Sequence, residues 1–345
     1  MSLWAITGGS GFLGLHLIRR LLAEGSGIRS LDIDPLDDEL TSVGVEAIVG
    51  DVRDTRATRV LCADADVLVH AAAALPIRGS AASITSVNVD GTATVLAAAA
   101  EAAVRRVILI SSTAVYGVPT VHPITEDTPL EPLGPYGRSK IESERIALEF
   151  ARRGLELVIL RPKTFLGPER LGVFEILFDW IRDGRRIYTI GSGQNRYQLL
   201  AVEDLVEAIL AAADRPSAAG TYNIGAAQFG TVADDLQALV DHAGSTSRVT
   251  PTPARPVKLM LRVLELARLS PLAAWHYETA DKDSYVDIAK AARALSWQPK
   301  LSNAETLVAA YDWYLHNRNR VLDIPGVTHR VRWDQKALRF LKRVS

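Results

Sequence analysis

The apolar run Leu3-Trp4-Ala5-Ile6 leads straight into Thr7-Gly8-Gly9-Ser10-Gly11-Phe12-Leu13-Gly14, and an amphipathic stretch follows from Phe12 to Ala23. A strand, a glycine-rich turn and a helix in that order leave few folds open. Glycine permits the sharp turn and lets backbone N–H groups approach a phosphate with no Cβ in the way. The helix then points the positive end of its dipole at the same place. Read from Gly9 the segment is G-x-G-x-x-G, and read from Thr7 it is T-G-x-x-G-x-x-G. Glycine triplets also occur in ordinary turns, so the strand before and the helix after carry the weight. The pattern fits the pyrophosphate of a dinucleotide.

The rest of the first half extends that pattern. Strand-like runs fall at Leu3–Thr7, Ile28–Asp32, Ala47–Val49, Val67–His70, Val107–Ser111 and Leu157–Leu160, with helix-like stretches between them, among them Thr92–Ala103 and Ser139–Arg152. Short continuous apolar runs belong to parallel strands covered on both faces. The fold class is therefore α/β, a Rossmann-type doubly wound parallel sheet. Right-handed crossovers gather the loops after the strands around one crevice.

Beyond Arg161-Pro162 the pattern loosens, with helical periods at Val173–Arg182, Val202–Ala213 and Val232–His242 and short strands near Ile187–Ile190 and Thr221–Ile224. An amphipathic segment at Val257–Leu269 and helix-like Ile288–Leu295 and Ala304–Asn317 follow. We expect residues 1–163 to form the dinucleotide-binding domain, with later segments returning to it. Residues 164–317 are expected to form a smaller α+β substrate lobe, and 318–345 a basic tail.

Composition narrows the function. The 345 residues carry a formal net charge of −1, which favours neither nucleic acid nor an anionic membrane as a partner. Cys62 is the only cysteine, so no intrachain disulfide forms and an oxidising destination is not indicated. The first residues enter a strand directly, without the pattern of a signal peptide, and no apolar stretch reaches the ~18 residues of a spanning helix. A cytoplasmic enzyme is the expectation. The tail sets Arg330, Arg332, Lys336, Arg339, Lys342 and Arg343 against Asp334. A docked terminal helix with a solvated face is favoured there over a peripheral membrane contact.

Several residues carry chemistry. Asp32 ends the second strand and falls 18 residues after Gly14, close to the spacing at which an acid receives the adenosine ribose hydroxyls. A carboxylate there repels a 2′-phosphate, which selects NAD over NADP. Asp51 follows another apolar run and suits the adenine amino group, while Ala71 and Ala72 let a cofactor pass close to backbone. Asn88, near a helix start, can steady water or backbone beside the nicotinamide; it can equally be a helix-start residue. Tyr136 and Lys140 lie four apart, so on a helix the phenol and the ammonium share a face. A tyrosine with a pKa near ~10 is a poor base at neutral pH, and an adjacent positive charge stabilises its phenolate. Ser112, at the carboxyl end of a buried strand, can hold the substrate oxygen beside Tyr136. No metal site is expected.

With these residues in view, the chain resembles the extended short-chain dehydrogenases/reductases, in particular their NAD-dependent epimerase/dehydratase branch, which includes UDP-glucose 4-epimerase. The resemblance runs to about Asn317. It rests on T-G-G-S-G-F-L-G, Gly50-Asp51-Val52, Asn88-Val89-x-Gly91-Thr92, Ser111-Ser112-Thr113-Ala114-Val115-Tyr116-Gly117, Tyr136-Gly137-x-Ser139-Lys140 and Leu160-Arg161-Pro162. Val202-x-Asp204-Leu205, Tyr222-Asn223-Ile224-Gly225 and Asp287-Ile288-x-Lys290-Ala291 with Trp297-Gln298-Pro299 extend it. It implies that Gly8, Gly11, Phe12, Leu13, Gly14, Val52 and Pro162 join Asp32, Asp51, Ala71, Ala72, Asn88, Tyr136 and Lys140 around NAD. It also implies that Ser112, Tyr136 and Lys140 are catalytic and that two copies pair through the helices near Thr92–Ala103 and Ser139–Arg152.

The resemblance implies a small-molecule substrate and narrows its class. Dehydrating relatives carry acidic residues right after the catalytic hydroxyl, where this chain has Thr113 and Ala114. Oxidation/reduction, most simply 4-epimerisation of a nucleotide sugar of UDP-hexose type, is the expectation. Two positions depart from the sugar-nucleotide pattern. Thr164 stands where Asn is usual after Arg-Pro-x, and Tyr197 where a diphosphate-binding Arg is usual, with Arg196 beside it. Together with the leucine-rich segment Pro256–Leu272, these keep open a dehydrogenase of lipophilic alcohols resembling 3β-hydroxysteroid dehydrogenases, and a non-catalytic NAD-binding protein comes last. Thr113, Thr164, Arg196 and Tyr197 are the expected substrate contacts.

Overall fold

Most short apolar runs in the first half become strands covered by helices on both sides, while Ala47–Val49 pairs at the sheet edge and stays largely exposed. The computed structural model describes residues 2–75, 80–169, 174–215, 218–266 and 274–321. Its strands are β1 (Leu3–Thr7), β2 (Gly27–Asp32), β3 (Glu46–Val49), β4 (Val67–His70), β5 (Arg106–Ile110), β6 (Leu157–Pro162), β7 (Phe165–Leu166), β8 (Ile187–Ile190), β9 (Leu200–Ala201), β10 (Gly220–Ile224) and β11 (Val249–Thr252). Seven of them form one sheet in the order β10-β6-β5-β4-β1-β2-β3, every pair parallel. The winding direction reverses between β1 and β4, and ligands of such sheets sit at the strands' carboxyl ends beside that switch.

Alternate residues divide the core in two. Ile6, Val69, Ile108 and Val158 pack toward the helices Phe12–Ala23 and Val202–Asp214. Ala5, Leu68, Leu109 and Ile159 pack toward Thr55–Cys62, Gly91–Glu101 and Gly134–Arg152. After Thr164 the chain alternates between places. β10 joins the large sheet, and Ala291 and Leu295 of the helix Ala289–Leu295 enter the first core. A separate core forms around Phe178, Ile181, Leu239 and Tyr311, beside the small parallel pairs β8–β11 and β7–β9.

Several element ends differ from the sequence expectation. The helix expected from Ser139 begins at Gly134, because Pro135 occupies its first turn, where a missing N–H loses no hydrogen bond. Tyr136 is thereby helical. The stretch expected at Thr92–Ala103 ends at Glu101, and Ala103 takes a left-handed φ of 52°. The helix expected at Val257–Leu269 spans Ala254–Leu266, and the last one runs from Asn303 to Val321. The basic residues from Arg330 onward, and the far end of Pro256–Leu272, lie outside the described residues. Among the described residues no helix is long and apolar enough to cross a membrane.

A buried histidine links the sheet to the helix Gly91–Glu101. His70 ends β4 and is 2% exposed, with Nδ1 2.7 Å from Thr7 Oγ1 and Nε2 3.0 Å from Thr92 Oγ1. Thr92 donates its proton to Asn88 O at 2.5 Å, so its oxygen accepts from His70 Nε2–H and Nδ1 is left to accept. That is the neutral ring. Burial, and then the charge of Lys140, hold the pKa down to about 3. As pH falls below ~6.5 the unfolded chain takes up a proton that the folded ring refuses, so stability is lost progressively from there toward pH 3. Between pH 6.5 and 5 this residue's share amounts to about 2 kcal/mol. Urea unfolding of wild type and His70→Gln at both pH values checks it: the variant should lack that part of the slope, and equal slopes would refute the assignment.

Candidate active site

The glycines after β1 prove to be a matter of space. Gly8 has a φ of 78°, and a Cβ there would lie 2.9 Å from Ala72 N. A Cβ on Gly14 would lie 2.2 Å from Gly8 O, so only glycine lets the helix start pass this close to the turn. The Thr7 hydroxyl accepts from Ala71 N and Ala72 N at 3.1 and 3.2 Å, which brings the ends of β1 and β4 together beside the turn. Gly11 provides no side-chain cap for the helix that starts at Phe12, so its first turn presents donors to an anion. Phe12 and Leu13 point into the core, and Phe12 stacks on Phe165 at 5.8 Å. What they offer a pyrophosphate is backbone.

The acid at the end of β2 sits where expected. Asp32 accepts from Ser10 N at 3.0 Å and from Asp34 N at 3.2 Å. Burial raises its pKa, partly offset by those N–H groups. Asp34 Oδ2 is buried without a partner, so two carboxylates meet at this corner. An orphaned acceptor beside Asp32 fits ribose hydroxyls and disfavours a further phosphate. Asp51 is held by its neighbour, with Arg53 Nη2 and Nε donating at 2.6 and 2.9 Å, and this guanidinium lowers its pKa. Val52 is buried and fills the space against Gly91, where a Cβ would meet it at 2.7 Å. The turn, the uncapped helix and the acid pair fit NAD.

Asn88 binds backbone, and it lies inside a helical run rather than at a helix start. It sits in a single π turn, Ser86–Asp90, and binds Ala74 twice, accepting from N at 2.7 Å and donating to O at 3.1 Å. Its amide also donates to Ser139 Oγ at 2.9 Å, and Ser139 donates to Tyr136 O at 2.8 Å. The segment after β4 is thus tied to the first turns of the helix that carries Tyr136.

That helix brings Tyr136 and Lys140 to the end of β5. Gly137 makes the approach feasible, since a Cβ there would lie 2.6 Å from Ala114 O. Lys140 Nζ is 5.9 Å from the centroid of the Tyr136 ring and donates to Ile110 O at 2.8 Å. Burial lowers the lysine pKa to about 8, against the charge of Glu144, which raises it. Ser112 begins the short turn Thr113–Tyr116, and its Oγ accepts from Ala114 N at 3.1 Å. Accepting there leaves the Ser112 O–H to donate elsewhere. Thr113 Oγ1 donates to Pro162 O at 3.3 Å, joining the ends of β5 and β6.

Beneath the triad lies a buried network that the sequence reading missed. Arg161 donates to both oxygens of Glu144 at 2.9 and 2.6 Å and to Tyr116 OH at 2.6 Å. Tyr116 donates to Asn223 Oδ1 at 2.9 Å, and Ser111 Oγ donates to Glu144. The signal was present: Glu144 is one helical turn beyond Lys140, and Arg161 precedes Pro162 in a quoted motif.

The expected substrate contacts divide between two directions. Thr164 Oγ1 and Tyr197 OH bond each other at 3.0 Å. Arg196 instead lays its guanidinium 4.7 Å from both the Phe229 and Tyr285 rings. Lys163, unnoticed in the sequence, lies 4.8 Å from the Tyr197 ring. Among the described residues no cluster of His, Cys, Asp or Glu is suited to a metal ion.

Known proteins resemble this chain in sequence and in fold. Residues 4–225 match the model of the NAD dependent epimerase/dehydratase family. The chain is 35% identical to the uncharacterized protein y4nG of Sinorhizobium fredii, over 97% of this chain and 84% of that one. It is 27% identical to a UDP-glucose 4-epimerase of Mycolicibacterium smegmatis, over 90% of this chain and 97% of that one. The crystal structure of a UDP-glucose 4-epimerase from Thermotoga maritima, bound to UDP-glucose, superposes with a TM-score of 0.76. It is 23% identical, over 92% of this chain and 100% of that chain, and so shares the fold.

Proposed function

From the premise that this chain belongs to the NAD dependent epimerase/dehydratase family, and is an NAD-dependent enzyme, we propose that it interconverts epimers of a nucleotide sugar at a secondary alcohol. One observation carries the choice: Tyr136 and Lys140 share a helix face at the end of β5, and the adjoining turn Thr113–Tyr116 holds no acid. Eliminating water from a sugar requires an acid to protonate the departing hydroxyl. The turn Thr113–Tyr116 carries no carboxyl group, and the Tyr116 hydroxyl already donates to Asn223 Oδ1, so the turn offers a departing hydroxyl no proton, which favours oxidation and reduction at one carbon.

The residues divide the work. Ser112 donates its O–H to the substrate oxygen and holds that oxygen at the Tyr136 phenol. Tyr136, its phenolate favoured by the Lys140 ammonium, takes the hydroxyl proton and later returns it. Lys140 is held for this by Ile110 O, and Asn88 fixes the helix through Ser139. Gly8, Gly11, Gly14, Asp32 and Asp51 would hold the dinucleotide, together with the backbone around Ala71, Ala72 and Pro162. Bound NAD would supply the reversible hydride acceptor for the alcohol carbon.

Incubating the purified protein with UDP-glucose or UDP-galactose and following the anomeric proton signals tests this reading. Interconversion with no net accumulation of NADH is the expected result. Net NADH formation from a sterol-like alcohol, with no sugar nucleotide in a panel interconverted, would overturn it in favour of a dehydrogenase.

A further inference from the structure

Lys163 is the first residue after β6, and its side chain is 3% exposed. It donates to Ser284 Oγ at 2.6 Å and lies 4.8 Å from the centroid of the Tyr197 ring. No carboxylate among the described residues forms an ion pair with it. An ammonium taken out of water without a counter-charge costs several kcal/mol. Burial alone lowers its pKa to about 7.

Four further observations point to a ligand there. The neighbours Thr164, Tyr197 and Ser284 are half-buried, so the ammonium lies one layer beneath an accessible rim. Thr164 and Tyr197 are bonded to each other, and Arg196 is turned onto Phe229 and Tyr285, so Lys163 is the cation that touches Tyr197. One polar atom in this region has no hydrogen-bond partner: His122 Nε2 is buried, its ring 4.9 Å from that of Tyr285, the residue after Ser284. The carboxyl end of β6 adjoins Thr113 through Pro162 O, one residue from Ser112.

We propose that Lys163 determines specificity by selecting a substrate with an anionic oxygen, from a phosphate or a carboxylate, that enters beside Thr164 and Tyr197. The proposal rests on the reading above that substrate lies at the ends of β5 and β6. It assigns to Lys163 the positive charge that neither Thr164 nor Tyr197 carries. An uncharged lipophilic alcohol gives this ammonium no partner.

The test is calorimetric titration of the NAD-loaded full chain, wild type against Lys163→Met and Lys163→Arg, with UDP, UDP-glucose, UDP-glucuronate and inorganic pyrophosphate. Lys163→Met should lower affinity at least ten-fold for the ligands whose charge it meets, and Lys163→Arg should keep most of it. Losses with UDP, UDP-glucose and pyrophosphate identify a phosphate; a loss confined to UDP-glucuronate identifies a carboxylate. The methionine variant should melt no lower than wild type, because an unpaired buried charge has been removed; a structural lysine would give a lower melting temperature. Equal affinities in wild type and Lys163→Met overturn the proposal, as does a wild type that binds none of the four. Interconversion of sugar nucleotides with unaltered binding in Lys163→Met would refute Lys163 alone. Lys163-dependent pyrophosphate binding without interconversion would refute the epimerase alone.

Discussion

Tyr136→Phe lowers turnover by ~10²–10⁴-fold, the range a positioned acid–base group contributes. The substitution removes one oxygen and keeps the ring, so the helix start, its Pro135 and the approach of Gly137 to Ala114 O are retained. Affinity for NAD should therefore change little, because the cradle of Gly8, Gly11, Gly14 and Asp32 lies on other elements. Lys140→Met acts differently. It removes the charge that favours the phenolate and the hydrogen bond to Ile110 O at 2.8 Å, so turnover falls and the helix loses an anchor. Measured kcat, with NAD binding followed separately, distinguishes the two. Unchanged turnover in Tyr136→Phe would remove Tyr136 from the chemistry and assign the proton transfer to another group.

Much of this was legible because the first half of the chain obeys one rule. A parallel strand covered on both faces reads as a near-continuous apolar run, and Leu3–Thr7 and Val67–His70 fit it up to the polar residue at each carboxyl end. The glycine turn was legible for a related reason, since Gly14 sits where any Cβ would strike Gly8 O. Tyr136 and Lys140 could be paired because their spacing of four has meaning on a helix. Contacts between distant segments left no such trace. Arg161 reads as part of an Arg-Pro motif, and only the packing of β6 against the helix Gly134–Arg152 reveals Glu144 as its partner. Arg196 and Tyr197 are adjacent in sequence, yet side chains in extended backbone alternate, and the two turn to different neighbours. Lys163 looks in sequence like any lysine after a strand; its isolation from carboxylates is a property of the folded chain.

Breaking the buried pair from one side should be the costliest change to stability. Arg161 and Glu144 are 6% and 3% exposed, and the two hydrogen bonds between them are joined by those from Arg161 to Tyr116 and from Ser111 to Glu144. Arg161→Met leaves the Glu144 carboxylate buried with only a hydroxyl donor, and removal of one partner of such a pair costs about 3–5 kcal/mol. Glu144→Gln strands the guanidinium and should cost a similar amount. The double variant Arg161→Met/Glu144→Gln removes both charges, and the same reasoning returns most of that stability, since the pair's attraction was largely spent on its own desolvation. Urea unfolding of the four proteins gives the coupling directly. Costs that simply add would show that the two groups stand apart in solution. The double variant also separates stability from catalysis: Glu144 is one helical turn from Lys140 and supports its positive charge, so a well-folded double variant should still turn over more slowly than wild type. A network kept only for rigidity would leave that rate unchanged.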